Sequence, residues 1–72
     1  MPRVKANELL RALRKAGWLV DHQRGSHVYL RHDTQPGLVT VPTHSQRTLK
    51  LKTLTSILDQ AGIDADRLRE LL

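Results

Sequence analysis

The first helix of the chain is predicted from apolar residues at helical spacing. These residues are Leu9, Ala12, Leu13 and Ala16, which follow the i, i+3, i+4, i+7 pattern of a helix face. Charged residues fall between them, and Gly17 stands where a helix commonly ends. We therefore expect a helix from about Asn7 to Ala16.

Two further helices are predicted in the last third of the chain. The second shows the same pattern in Leu54, Ile57, Leu58 and Ala61, with Gly62 after it. Asp64 is a suitable N-cap for a short third helix that ends at Leu72, since Ile63 and Leu68 have the spacing of a hydrophobic staple.

Three strands are predicted between the first two helices. Trp18 to Gln23 and Ser26 to His32 form a hairpin around a tight reversal at Arg24 and Gly25, and Leu38 to Pro42 forms a third short strand. Asp33 to Gly37 is a turn cluster. The polar segment from Thr43 to Leu49, which contains His44, Ser45 and Arg47, shows no period and is expected to be a loop.

This order of elements predicts an α+β fold with helices on one face of a three-stranded antiparallel sheet. The expected core is formed by Leu9, Leu13, Val28, Leu30, Val39, Val41, Leu54, Ile57 and Leu58. Because strand side chains alternate, His27, Tyr29 and Arg31 share the sheet face that no helix covers. The α-β-β-β-α order is also that of double-stranded-RNA-binding domains, although architecture alone does not establish function.

Length and composition narrow the possible functions. The chain has 72 residues, a formal charge of +5 and no cysteine. This predicts one small domain at residues 1–72 with a thin core and no deep substrate cavity, in a reducing, cytoplasmic setting. Ten of the twelve Lys and Arg residues lie in residues 1–52, with only three acidic residues, which favours a polyanion partner such as nucleic acid.

His27 is the main candidate for chemistry, since it follows a tight turn and points away from the core. An imidazole exchanges a proton near neutral pH, which suits the attack of a ribose 2′-hydroxyl on its own phosphodiester. Nearby Arg and Lys side chains would neutralise the developing charge. An exposed strand histidine is more often a plain surface residue, so this spacing alone does not establish catalysis.

Other chemistries find less support in the sequence. The four histidines have no metal-site spacing, and neither a metal nor another cofactor is expected. Ser26 and Ser45 are more simply turn and loop residues than nucleophiles. Trp18 is expected in the core, whereas Tyr29 is the better residue for stacking on a base.

Five short motifs in order across the chain resemble the HicA-like toxins of HicA–HicB toxin–antitoxin pairs. They are Glu8-Leu9-Leu10, Ala16-Gly17-Trp18, Arg24-Gly25-Ser26-His27, Pro36 to Pro42 and Thr53 to Ile63. The resemblance implies a double-stranded-RNA-binding-like fold and metal-independent cleavage of messenger RNA. It also implies that His27 is catalytic and that a HicB-like antitoxin covers the active face. The chain departs from the family in having Lys52 where most members have glycine before the Thr-Leu pair.

The sequence thus predicts a toxin endoribonuclease in which His27 serves as both general base and general acid. Residues expected to bind RNA or shape its site are Arg24, Gly25, Ser26, Tyr29, Arg31, His44, Lys50 and Lys52. Lys50 and Lys52 stand at the start of the second helix, where a phosphate is favoured. The free toxin is expected to be a monomer or dimer. A non-catalytic RNA-binding module stays open as an alternative, and a DNA-binding regulator built on the last two helices is disfavoured by their net acidic charge.

Overall fold

The computed structural model describes residues 2–43 and 48–72 and confirms the predicted α+β architecture. The elements in chain order are α1 (Ala6–Lys15), β1 (Trp18–Arg24), β2 (His27–His32), β3 (Val39–Pro42), α2 (Leu51–Ala61) and α3 (Ala65–Leu71). The order is consistent with a double-stranded-RNA-binding-like fold.

The predicted boundaries were wrong by one residue at several ends. Helix α1 stops at Lys15 because Ala16 leaves helical geometry and Gly17 has φ +98°. The hairpin loop consists of Gly25 and Ser26 rather than Arg24 and Gly25, so β1 continues through Arg24 and β2 begins at His27. The third strand begins at Val39 instead of Leu38.

The helix ends are stabilised by local hydrogen bonds. The Glu8 carboxylate accepts a hydrogen bond from the Lys5 backbone N–H at 2.8 Å, one half of a capping box. Asp64 accepts from the Arg67 backbone N–H at 2.7 Å, which confirms its predicted role as N-cap of α3. Helix α2 ends at Gly62 in the left-handed conformation.

The sheet has the order β1-β2-β3 and both pairs are antiparallel. On β1 the register shifts between Val20, which pairs with Leu30, and His22, which pairs with Tyr29. Asp21 is therefore an extra residue in β1, a β-bulge that changes which side chains face each side of the sheet.

One face of the sheet is covered by the helices and holds the core. All nine predicted core residues are buried, and the core also includes Val4, Ala6, Ala12, Trp18, Ala61, Leu68 and Leu71. Trp18 is 1% exposed, which confirms that it packs in the core rather than on a ligand. We call the opposite side the open face; it carries Leu19, His22, Arg24, His27, Tyr29, Arg31, Thr40 and Pro42.

The segment before α2 is tied to the start of the chain. Thr48 forms an isolated antiparallel bridge with Lys5, and the Leu49 N–H donates to the Val4 carbonyl at 2.8 Å. This end of the predicted loop is thus anchored, while His44, Ser45 and Arg47 lie outside the described residues. Within the described ranges, none of the helices has the length and apolar character needed to cross a membrane.

Candidate active site

The hairpin turn sets the position of His27 at the start of β2. Gly25 has φ +57°, which suits the first central position of a two-residue type II′ hairpin loop. The Ser26 carbonyl then accepts two hydrogen bonds from Thr43, from its backbone N–H at 2.6 Å and its hydroxyl at 2.9 Å. The turn before His27 is therefore held to the end of β3 instead of moving freely.

His27 lies on the open face between Arg24 of β1 and Pro42 of β3. Both His27 and Arg24 are exposed. Among residues 2–43 and 48–72, Arg24 has no carboxylate within ion-pair distance. A guanidinium without an acidic partner can bind a phosphate without first giving up an ion pair. The pair places an imidazole beside a guanidinium that has no acidic partner in the described chain, an arrangement that can serve proton transfer next to an anion.

Tyr29, the next open-face residue along β2, is covered on one side by His22. The two rings stack with centroids 4.4 Å apart and planes 7° from parallel. Tyr29 is half-buried, and its register partner on β3 is Thr40. The stack produces a flat aromatic surface next to His27.

His22 is in turn held by its neighbour in the bulge. Its Nδ1 lies 2.7 Å from Oδ2 of Asp21, and both side chains are partly exposed, at 44% and 39%. The other oxygen of Asp21 lies 3.7 Å from Nε of Arg31. One carboxylate therefore contacts both a histidine and an arginine of the open face.

Within the described chain, Arg31 is less available to an anionic ligand than Arg24. It lies within ion-pair distance of Asp21 and also of Asp33, whose Oδ1 is 3.4 Å from Nη1. Both acids are exposed, so neither pair is strongly stabilising. Even so, two carboxylates offset the positive charge of Arg31, whereas that of Arg24 has no such offset in the described chain.

His32 has a structural position on the covered side of the sheet. Its Nε2 lies 3.1 Å from the Ala16 carbonyl oxygen, and its Nδ1 accepts the Thr34 N–H at 3.1 Å. This arrangement requires the proton on Nε2 when the ring is neutral. The ring also meets Trp18 edge to face at 5.1 Å. The histidines His22, His27 and His32 thus occupy three different environments.

The remaining predicted site residues fall elsewhere. Lys50 is the N-cap of α2 and Lys52 is the second residue of the helix, both exposed on the helix layer rather than on the sheet. His44 lies outside the described residues. Within residues 2–43 and 48–72, His, Asp and Glu side chains form no group of three or more that could hold a metal ion.

Sequence reasoning missed Asp21, His22 and Thr43. The sequence shows no signal for the bulge, because alternation continued from Trp18 places His22 on the same side as Trp18. The contact between Thr43 and Ser26 joins residues far apart in the chain and depends on the strand register. The sequence shows that Asp21 and His22 are adjacent. In an ideal strand adjacent side chains point to opposite faces, so the sequence provides no reason to expect a contact between them.

Comparison with known families identifies a match over most of the chain. The model of the HicA toxin family, described as the HicA toxin of bacterial toxin–antitoxin systems, matches residues 6–63. This range runs from the first residue of α1 to just beyond α2 and contains the whole sheet. A search of curated proteins found no match.

Proposed function

The chain belongs to the HicA toxin family, and from this membership and the open face we propose that it is an endoribonuclease that cleaves messenger RNA. The observation that carries the proposal is the exposed imidazole of His27, fixed after a clamped turn and paired across the strands with Arg24, whose guanidinium has no carboxylate partner among residues 2–43 and 48–72. The exposed and open position suits an extended polymer better than a small molecule, which would need a cavity.

The proposed reaction uses a nucleophile that RNA itself provides. His27 accepts the proton of a ribose 2′-hydroxyl, the 2′-oxygen forms a bond to the adjacent phosphorus, and the bond from phosphorus to the 5′-oxygen breaks. The departing 5′-oxygen takes up the proton that His27 accepted, so the products are a 2′,3′-cyclic phosphate and a 5′-hydroxyl. Arg24 stabilises the negative charge that grows on the non-bridging oxygens.

This scheme needs no metal ion, because proton transfer and charge neutralisation both come from side chains. In this scheme Gly25 and Ser26 shape the turn that presents His27. Tyr29 offers a ring for a neighbouring base. Lys50 and Lys52 supply positive charge at the start of α2, and Arg31 contributes less because of its acidic partners.

We further propose that a HicB-like antitoxin inhibits the toxin by covering the open face. Arg24 and His27 would be hidden from RNA in that complex. An antitoxin surface with acidic residues opposite Arg24 would fit the charge of this end of the sheet.

The proposal is tested by incubating labelled single-stranded RNA with the protein in excess EDTA. Wild type should cleave the RNA and leave cyclic-phosphate ends, His27→Ala should cleave about 10²–10⁴-fold more slowly, and Leu19→Ala should match wild type. Leu19 is a suitable control because it is exposed on the same face and carries no polar group.

Cleavage by His27→Ala at the wild-type rate would remove His27 from the mechanism. RNA that is bound by every variant, released by salt and never cut would instead establish the non-catalytic RNA-binding module.

A further inference from the structure

Four side chains on the open face form two neighbouring cross-strand pairs between β1 and β2, so that they lie at the corners of a rectangle. His22 pairs with Tyr29, and two residues further along each strand Arg24 pairs with His27. The two histidines occupy one diagonal, and Arg24 and Tyr29 occupy the other. In antiparallel sheets, directly paired residues lie about 5 Å apart and diagonal neighbours about 7–8 Å apart.

This diagonal suits a reaction with two proton transfers. In the proposed cleavage the attacking 2′-oxygen and the leaving 5′-oxygen lie on opposite sides of the phosphorus, roughly in line. The first must lose a proton and the second must gain one. A single histidine can make both transfers only in succession, whereas two histidines flanking the phosphate can make them together.

The contacts of His22 leave one ring nitrogen for this task. Its Nδ1 is engaged by the Asp21 carboxylate at 2.7 Å, so the proton that His22 can give to a substrate is the one on Nε2. Stacking on Tyr29 at 4.4 Å fixes the plane of the ring. Within the part of the chain that the structure describes, the other charged group within ion-pair distance of Asp21 is Arg31, 3.7 Å from the second carboxylate oxygen.

We propose that His22 is the general acid of the cleavage reaction and that Asp21 is its positioning residue. His27 takes the proton from the 2′-hydroxyl while His22 gives the proton on Nε2 to the departing 5′-oxygen. The 2′-oxygen–phosphorus bond forms, the phosphorus–5′-oxygen bond breaks, and one proton enters and one leaves the protein. This assignment rests on the proposed ribonuclease function and gives the second proton transfer to a different residue.

A substrate with a better leaving group separates the two roles. In RNA whose scissile 5′-oxygen is replaced by sulfur, the thiolate leaves without needing a proton. His22→Gln should therefore slow cleavage of ordinary RNA about 10²–10⁴-fold, the usual contribution of a general acid, and leave cleavage of the sulfur-containing RNA near the wild-type rate. His27→Ala should slow both substrates, since the 2′-hydroxyl must still be deprotonated.

Asp21→Asn and Asp33→Asn form a matched pair that tests the positioning role. Both carboxylates are exposed and contact Arg31, but only Asp21 contacts His22. Asp21→Asn should slow ordinary RNA while sparing the sulfur-containing RNA, and Asp33→Asn should leave both rates unchanged. A general loss of structure at β1 would instead lower both rates equally.

The outcomes distinguish this inference from the proposed function. Wild-type protein that cleaves neither RNA refutes the ribonuclease function itself. Wild-type cleavage together with an unchanged rate in folded His22→Gln, or with an equal loss on both substrates, overturns the general-acid assignment and leaves His27 in place. Equal rates for Asp21→Asn and Asp33→Asn on ordinary RNA overturn the positioning role of Asp21.

Discussion

Gly17→Ala is expected to destabilise the protein by a backbone effect and a steric effect together. Gly17 has φ +98°, a conformation that an alanine adopts at a cost of about 1–2 kcal/mol. A Cβ at this position would also lie 2.6 Å from Nε2 of His32, so the imidazole must move. Its hydrogen bond with the Ala16 carbonyl, 3.1 Å long, would then be lost, at a further cost of about 1 kcal/mol.

The sum is about 2–3 kcal/mol, which for a domain of this size lowers Tm by roughly 10–20 °C. Thermal and urea unfolding followed by circular dichroism would measure it. Gly37→Ala is the matched control. Gly37 has φ +79°, but no atom of the described residues lies within 4 Å of the added Cβ, so this variant should show only the backbone cost of about 1–2 kcal/mol.

A double-mutant cycle with His32→Ala isolates the steric effect. Without the imidazole, Gly17→Ala should cost about 1 kcal/mol less than in the wild-type background. The reasoning is refuted if Gly17→Ala costs no more than Gly37→Ala, or if the cost is the same with and without His32. Because His32 lies away from the open face, Gly17→Ala should cleave RNA normally at temperatures where it is folded.

Three further predictions concern helices and core. Lys52→Glu should raise the free energy of unfolding by about 0.3–1 kcal/mol, since it places a negative charge in the first turn of α2. It should also weaken RNA binding and make the affinity less dependent on salt. Urea unfolding measures the stability and fluorescence anisotropy the affinity, and a variant in which both rise or both fall would contradict the prediction. Leu30→Ala, at a fully buried position, should cost about 2–5 kcal/mol in urea unfolding, whereas Leu19→Ala at an exposed position should cost less than about 0.5 kcal/mol, and similar losses would be inconsistent with the observed burial. Asp64→Ala removes the cap of α3 and should cost about 0.5–2 kcal/mol in thermal melts; an unchanged Tm would show that the cap contributes nothing.

The fold could be predicted because its determinants are local. Helical spacing, glycine at helix ends and alternation in β2 each act within a few residues, and each led to the correct element. The errors at Ala16, Arg24 and Ser26 lie at the ends of helices and strands next to a turn. Residue propensity indicates that a turn is present there, but it does not specify which residues form the turn and which still belong to the helix or strand.

The site could be predicted only where side-chain direction followed from alternation. His27 and Tyr29 lie on a regular strand, so their placement on the open face was correct. His22 lies beyond the bulge at Asp21, where alternation breaks, and its stacking on Tyr29 depends on the register of two strands. The ion pair of Arg31 with Asp21 likewise depends on the position of β1, whereas its contact with Asp33 joins residues only two apart in the sequence.

The distribution of burial along β1 explains how this strand can carry functional groups. Trp18 is the only buried residue of its seven, so the remaining positions contribute little apolar burial to the core. The strand is held by its hydrogen bonds to β2 and by Trp18, while β2 and β3 contribute the buried residues Val28, Leu30, Val39 and Val41. Substitutions at Asp21, His22 and Arg24 should therefore change RNA cleavage far more than stability, because surface changes of this kind are usually within about 0.5 kcal/mol. The protein thus separates the residues that hold the sheet together from those that we propose act on RNA, and it does so on an edge strand where the substrate can approach.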